Sequence, residues 1–119
     1  MRAKDAVGRY GEDVAARALH DAGLQIVERN WRCRDGELDI IARDGDVLVV
    51  CEVKTRSGLA YGHPAEAVTR AKAVRLRRLA RLWLAERRPA WVRDVRFDVV
   101  AVLRQQRGAA EVEHLREVL

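Results

Sequence analysis

Along the first stretch of the chain, Val7, Val14, Ala15, Ala18, Leu19 and Ala22 recur at three- and four-residue steps. This is the period of one helix face. It predicts an amphipathic helix from Asp5 to Ala22, closed at Gly23 where a left-handed C-cap is expected. The pattern then changes to short runs rich in Val and Ile, Leu24 to Trp31, Glu37 to Arg43 and Val47 to Val53, which read as strands. Between the last two, Asp44-Gly45 predicts a two-residue type I′ turn, because Asp-Gly tolerates the positive φ that both central positions need. Ser57 to Pro64 reads as a loop, and a second helix is expected from about Ala65 to Arg87, ahead of Pro89. Val95 to Leu103 is a further strand and Glu111 to Leu115 a short closing one. The order α-β-β-β-α-β, without repeats or a dividing linker, predicts a single α/β domain over residues 1–119, with a mixed sheet flanked by helices.

The hairpin places chemistry. With Asp44-Gly45 as the loop, Arg43 faces Asp46, Asp39 lies opposite Val50 and Glu37 opposite Glu52. Alternation then sends Asp39, Val50, Glu52 and Lys54 to one face, and Leu38, Ile40, Val49, Cys51 and Val53 to the other. Asp39 and Glu52 become diagonal neighbours, about 7–8 Å apart at the backbone, within reach of one shared cation. Carboxylate oxygens suit Mg²⁺, with Mn²⁺ as an alternative, and a metal would relieve the repulsion between two neighbouring acids. Lys54 is then placed to assist attack on a phosphodiester. Glu-x-Lys is common on solvated strands, so the triplet gains weight only from its context. Here it follows at once on the apolar run Val47 to Cys51, at the strand's C-terminal end, where open α/β sheets bind ligands.

Two helical residues extend this set. Glu12 sits beside the apolar stripe of the first helix and is a candidate third carboxylate, although the helix dipole explains an early Glu equally well. Gly8 and Gly11 would allow a close backbone approach there. Lys72 projects on the buried side of the second helix, as a phosphate contact or as a snorkelling lysine. Arg70, Arg77, Arg81 and Arg88 fall within about 40° of one another in helical projection, forming a basic stripe.

Charge adds a partner. The 119 residues carry 23 Lys plus Arg against 18 Asp plus Glu, a formal net charge of +5, which points to nucleic acid. Apolar residues at 49% and charged residues at 34% suit a packed core in a charged shell and exclude disorder. Cys33 and Cys51 form no metal-binding pair, and no apolar run is long enough to span a membrane, so no membrane association and a reducing cytoplasm are expected. His20, His63 and His114 show no zinc spacing, and neither a nucleophile elbow nor a phosphate-binding Gly-rich loop is present.

Taken together, Gly8-Arg9-Tyr10-Gly11-Glu12, Asn30-Trp31-Arg32, Gly36-Glu37-Leu38-Asp39-Ile40-Ile41, Cys51-Glu52-Val53-Lys54-Thr55-Arg56, Tyr61-Gly62-His63-Pro64, Lys72 and Arg96-Phe97-Asp98-Val99-Val100 resemble the small bacterial YraN family. That family is similar to archaeal Holliday junction resolvases and to the wider PD-(D/E)xK nuclease superfamily. The resemblance implies a restriction-endonuclease-like core and a metal-dependent DNA endonuclease acting on branched or repair-intermediate DNA. It also implies a catalytic set of Glu12, Asp39, Glu52 and Lys54, with Asp39 and Glu52 on the metal, and a homodimer. Leu38 stands where the superfamily's name has Pro, a position that supplies no ligand atom. On this reading Lys72, Arg70, Arg77, Arg81 and Arg56 contact nucleic acid. The competing reading is a nucleic-acid-binding module, or an adaptor, that retains the nuclease fold without cutting.

Overall fold

The computed structural model describes residues 6–57 and 69–118. Helix α1 (Ala6–Asp21) is followed by strands β1 (Gln25–Cys33), β2 (Gly36–Asp44) and β3 (Val47–Ser57), helix α2 (Arg70–Arg87), and strands β4 (Asp94–Arg104) and β5 (Glu111–Leu115). The expected order is borne out. The strands form one sheet in the order β1-β2-β3-β4-β5, parallel between β3 and β4 and antiparallel elsewhere. This is an α/β fold with the α-β-β-β-α-β order of a restriction-endonuclease-like core.

Each helix covers one face. Ala15 and Leu19 of α1 pack on Ile40, Ala42, Val49, Cys51, Val100 and Val102. On the other side, Leu76, Leu79, Ala80 and Trp83 of α2 pack on Trp31, Leu38, Ile41, Leu48, Val50 and Phe97. The middle of β3 is therefore apolar on both faces, as the run Val47 to Cys51 predicted.

The helix ends follow local chemistry. Gly23, at φ 96°, closes α1 as a Schellman motif: Leu24 N–H bonds to Leu19 C=O at 3.0 Å and Gly23 N–H to His20 C=O at 2.9 Å. The second helix starts at Arg70. Thr69 is extended there and its Oγ1 accepts from Lys72 N–H at 3.1 Å, so an N-cap sets the boundary. The expected start at Ala65 and most of the expected loop from Ser57 to Pro64 lie outside the described residues.

Two sequence expectations need correction. The β2–β3 pairing begins at Asp44↔Val47, so the turn is Gly45-Asp46 and not Asp44-Gly45. Of these two only Gly45 has positive φ, 63°, which suits a type II′ turn with Gly in the first central position. The slip is of two residues, so the parity of the faces survives. Asp39 stands level with Glu52 instead of diagonal to it, and Glu37 faces Arg32 of β1 instead of Glu52. The second correction concerns Leu38, which packs on the α2 side, away from Ile40. Its cause lies in the β1–β2 ladder, which runs through Arg29↔Ile40 and Trp31↔Leu38 but skips Asn30 and Asp39. Asn30 takes a left-handed φ of 56°, and beyond it Trp31 and Leu38 turn together to the α2 face.

Candidate active site

Strand β3 turns from apolar to charged at Glu52, and the sheet opens at the same level. Pairing of β2 with β3 ends at Ile40↔Cys51. Just past it, Val53 N–H donates to Asp39 Oδ2 at 2.9 Å, so a carboxylate fills the place of a backbone partner. Asp39 is thus fixed at the fork between the strands. By parity Glu52 and Lys54 face α2, as Leu48 and Val50 do.

Glu52 is only 12% exposed, and its partner comes from α2: Lys72 Nζ stands 2.8 Å from Glu52 Oε2, with Lys72 itself 15% exposed. The approach lies outside hydrogen-bond directions, so this buried oxygen is ion-paired but carries no hydrogen bond. Arg75 NH2 lies farther off, at 4.0 Å. Lys54 is pushed below the usual lysine range, first by burial and then by the neighbouring Lys72 ammonium, against the pull of Glu52. Two lysines therefore crowd one glutamate, and an uncompensated charge here would cost roughly 3–5 kcal/mol.

Glu12 arrives from the opposite side of the sheet. It is 2% exposed, as its place beside the apolar stripe predicted, and Arg29 NH2 lies 3.8 Å from its Oε1. What brings it down on the sheet is Gly11: a Cβ there would overlap Thr55 Oγ1 and lie 2.8 Å from Thr55 Cβ. A cavity of about 240 Å³ at the end of β3 is lined by Glu12, Lys54 and Arg56 together with Val7, Gly8, Val53 and Thr55. Among the described residues no three acidic, histidine or cysteine side chains gather as a metal's ligands would. Glu12 therefore does not complete a three-carboxylate cage with Asp39 and Glu52.

The basic residues of α2 divide into two kinds. Arg70, Arg77 and Arg81 are exposed and form no ion pair among the described residues. Arg78 is paired with Asp35, and Arg87 holds both oxygens of Glu28. Arg88 leaves the stripe, because it caps the helix in a left-handed conformation at φ 49°. Arg56, two residues past Lys54, is exposed.

The signature of the family described as "Uncharacterised protein family UPF0102" matches residues 11–102, a span that contains Glu12, Asp39, Glu52, Lys54 and Lys72. The chain belongs to the UPF0102 family. The YraN-like resemblance read from the sequence is thereby borne out. A UPF0102 protein of Beutenbergia cavernae is 69% identical over 118 residues, covering 99% of both chains. One from Frankia casuarinae is 60% identical over 116 residues, covering 98% of both. One from Streptomyces coelicolor is 60% identical over 119 residues, covering 99% of this chain and 92% of its own.

Within this UPF0102 protein the two carboxylates at the fork have the donor chemistry that a small hard cation takes. Asp39 and Glu52 supply oxygen only, and Glu52 Oε2 is a buried acceptor without a hydrogen bond. The residues fit a Mg²⁺ or Mn²⁺ ion held by two carboxylates, provided Lys72 gives way. Sequence reasoning missed the Lys72–Glu52 pair and Arg75 beside it. A signal was available: Lys72 and Arg75 are three residues apart on one helix and so share a face. It also missed the buried cluster on β4, where Asp98 holds His114, Arg96 and the backbone N–H of Glu117.

Proposed function

We propose that this UPF0102 protein is a metal-dependent DNA endonuclease that hydrolyses phosphodiester bonds, with branched and repair-intermediate DNA as its substrate class. One observation carries the reading: a strand buried from Leu48 to Cys51 ends in a largely covered carboxylate crowded by two ammonium groups, level with a second carboxylate where the strands part. Charges buried at the end of an interior strand are costly, and such groupings concentrate at functional sites.

On this reading Asp39 and Glu52 hold Mg²⁺ or Mn²⁺. When bound, such an ion stabilises charge on the phosphate and acidifies water. The remaining work belongs to the chain. Asp39 is held rigid by Val53 N–H. Lys54, on the same strand face as Glu52, meets the negative charge that develops on the phosphate. Glu12 and Arg56 line the adjoining cavity, where Arg56 neutralises a neighbouring phosphate and Glu12 orients water. Arg70, Arg77 and Arg81 run along the backbone of a duplex and set its position, without reading sequence. Likeness to resolvases implies a homodimer, and the free thiols of Cys33 and Cys51 suit a reducing cytoplasm.

A second reading has an observation of its own. Lys72 already neutralises Glu52, which is what a nucleic-acid-binding module or adaptor that has lost its metal would need. The two are separated by incubating the protein with linear, single-stranded, flapped and four-way DNA, with Mg²⁺, Mn²⁺ or chelator, beside Asp39→Ala. The endonuclease reading expects cleavage that chelator abolishes and that the substitution lowers by at least about a hundredfold. Binding that weakens steeply with salt and never leads to cutting selects the module.

A further inference from the structure

We infer that Lys72 is a built-in counter-ion: it occupies the place of the metal's charge on Glu52 until the metal arrives, and is then released to a DNA phosphate. The inference rests on the metal reading of the site given above.

The observations concern position, charge and hold. Lys72 is the third residue of α2, and its backbone is pinned by the N-cap bond to Thr69 Oγ1 at 3.1 Å. Its flexible stem carries the ammonium inward to 2.8 Å from Glu52 Oε2. A lysine there is a point charge without a fork. It neutralises the carboxylate without the two parallel hydrogen bonds that an arginine would make, and here the oxygen carries no hydrogen bond at all. The hold is electrostatic and reversible. Arg75, whose guanidinium could lock the same oxygen, stays at 4.0 Å.

Charge balance then requires an exchange. Glu52 already faces Lys72, Lys54 and, at 4.0 Å, Arg75, so a dication added beside it brings excess positive charge into a poorly solvated site. One lysine has to move. Lys54 sits on the same rigid strand as Glu52, whereas Lys72 reaches across from the first turn of α2. Once displaced, the Lys72 ammonium lies at the start of the helix whose outer face carries Arg70, Arg77 and Arg81, so the nearest anion for it is the backbone of bound DNA. Metal and phosphate thereby favour each other's binding through one side chain.

The test is Mn²⁺ binding, measured by titration calorimetry without DNA on the full chain and on Lys72→Met and Glu52→Gln. Removing a cation beside a ligand carboxylate should raise Mn²⁺ affinity by at least about tenfold, so Lys72→Met binds tighter than the parent protein while Glu52→Gln loses the site. Equal or weaker binding by Lys72→Met, with Glu52→Gln still abolishing it, overturns the counter-ion role and leaves the metal site standing. Binding that is absent from the parent protein, or indifferent to Glu52→Gln, sinks the metal reading itself. Should Lys72→Met not fold, the Lys72 side-chain resonances of the parent protein decide: they shift as Mg²⁺ is added if the pair opens, and their staying put refutes the exchange.

Discussion

Two single residues set the geometry at the fork. Asn30, by taking left-handed φ inside a strand, ends the regular alternation of β1, and the matching gap at Asp39 frees its carboxylate for Val53 N–H. Asparagine tolerates that conformation better than most residues, but nothing in the local pattern marked it, because Asn also sits in ordinary loops. The face of Glu52 was legible from the hairpin, although the turn was placed one residue early, since a register slip of two leaves parity unchanged along β3. Gly11 is the clearer case, as its close approach was expected and the contact with Thr55 accounts for it. Gly11→Ala should lift α1 off β3 and cost about 1–3 kcal/mol in urea denaturation, with part of the loss recovered in Gly11→Ala/Thr55→Gly. A neutral Gly11→Ala would contradict the close approach of α1 to Thr55.

At the scale of elements, strands and helices were readable from period and caps, whereas partners across the fold were not. Trp83 Nε1 and Arg87 both donate to Glu28, and Trp31 Nε1 donates to Glu86, so α2 is tied to β1 by residues more than fifty positions apart. The Arg87 hydrogen bond holds the Glu28 carboxyl below its usual range. The closing strand is held in the same manner by Asp98, which is 0% exposed. His114 Nε2 lies 2.6 Å from its Oδ2, Glu117 N–H donates at 3.0 Å, and Arg96 spans from Asp98 to Asp44. Burial alone would raise the Asp98 carboxyl, but the His114, Glu117 and Arg96 donors outweigh it and hold it below the ordinary value of 3.8. A depressed carboxylate stabilises the fold above its unfolded-state value and loses that contribution as pH falls through the folded one. Asp98→Asn should therefore lower stability at neutral pH by about 1–3 kcal/mol and flatten the loss of stability below pH 3.8, followed by circular dichroism. An unchanged acid limb would remove Asp98 from the account.

The molecule as a whole distributes charge by layer. Its +5 excess is not spread evenly, because Asp13, Glu37 and Asp35 take up Arg29, Arg32 and Arg78 while Arg70, Arg77 and Arg81 stay open on the outer face of α2. Among the described residues no helix is long and apolar enough to cross a membrane. Fold class and candidate acids were visible in the sequence because period, turn chemistry and an abrupt end to an apolar run are local signals. The cation that Glu52 takes was not, because ion pairing between a strand and a helix joined by a long crossover is decided only when the layers meet. The central claim is that Asp39 and Glu52 together hold one cation at the end of β3. Its most direct test is a crystal of the protein grown with Mn²⁺ and read by anomalous scattering. A peak within coordination distance of both carboxylates, with Lys72 withdrawn, is the predicted result; no peak there, with Lys72 still against Glu52, would contradict it.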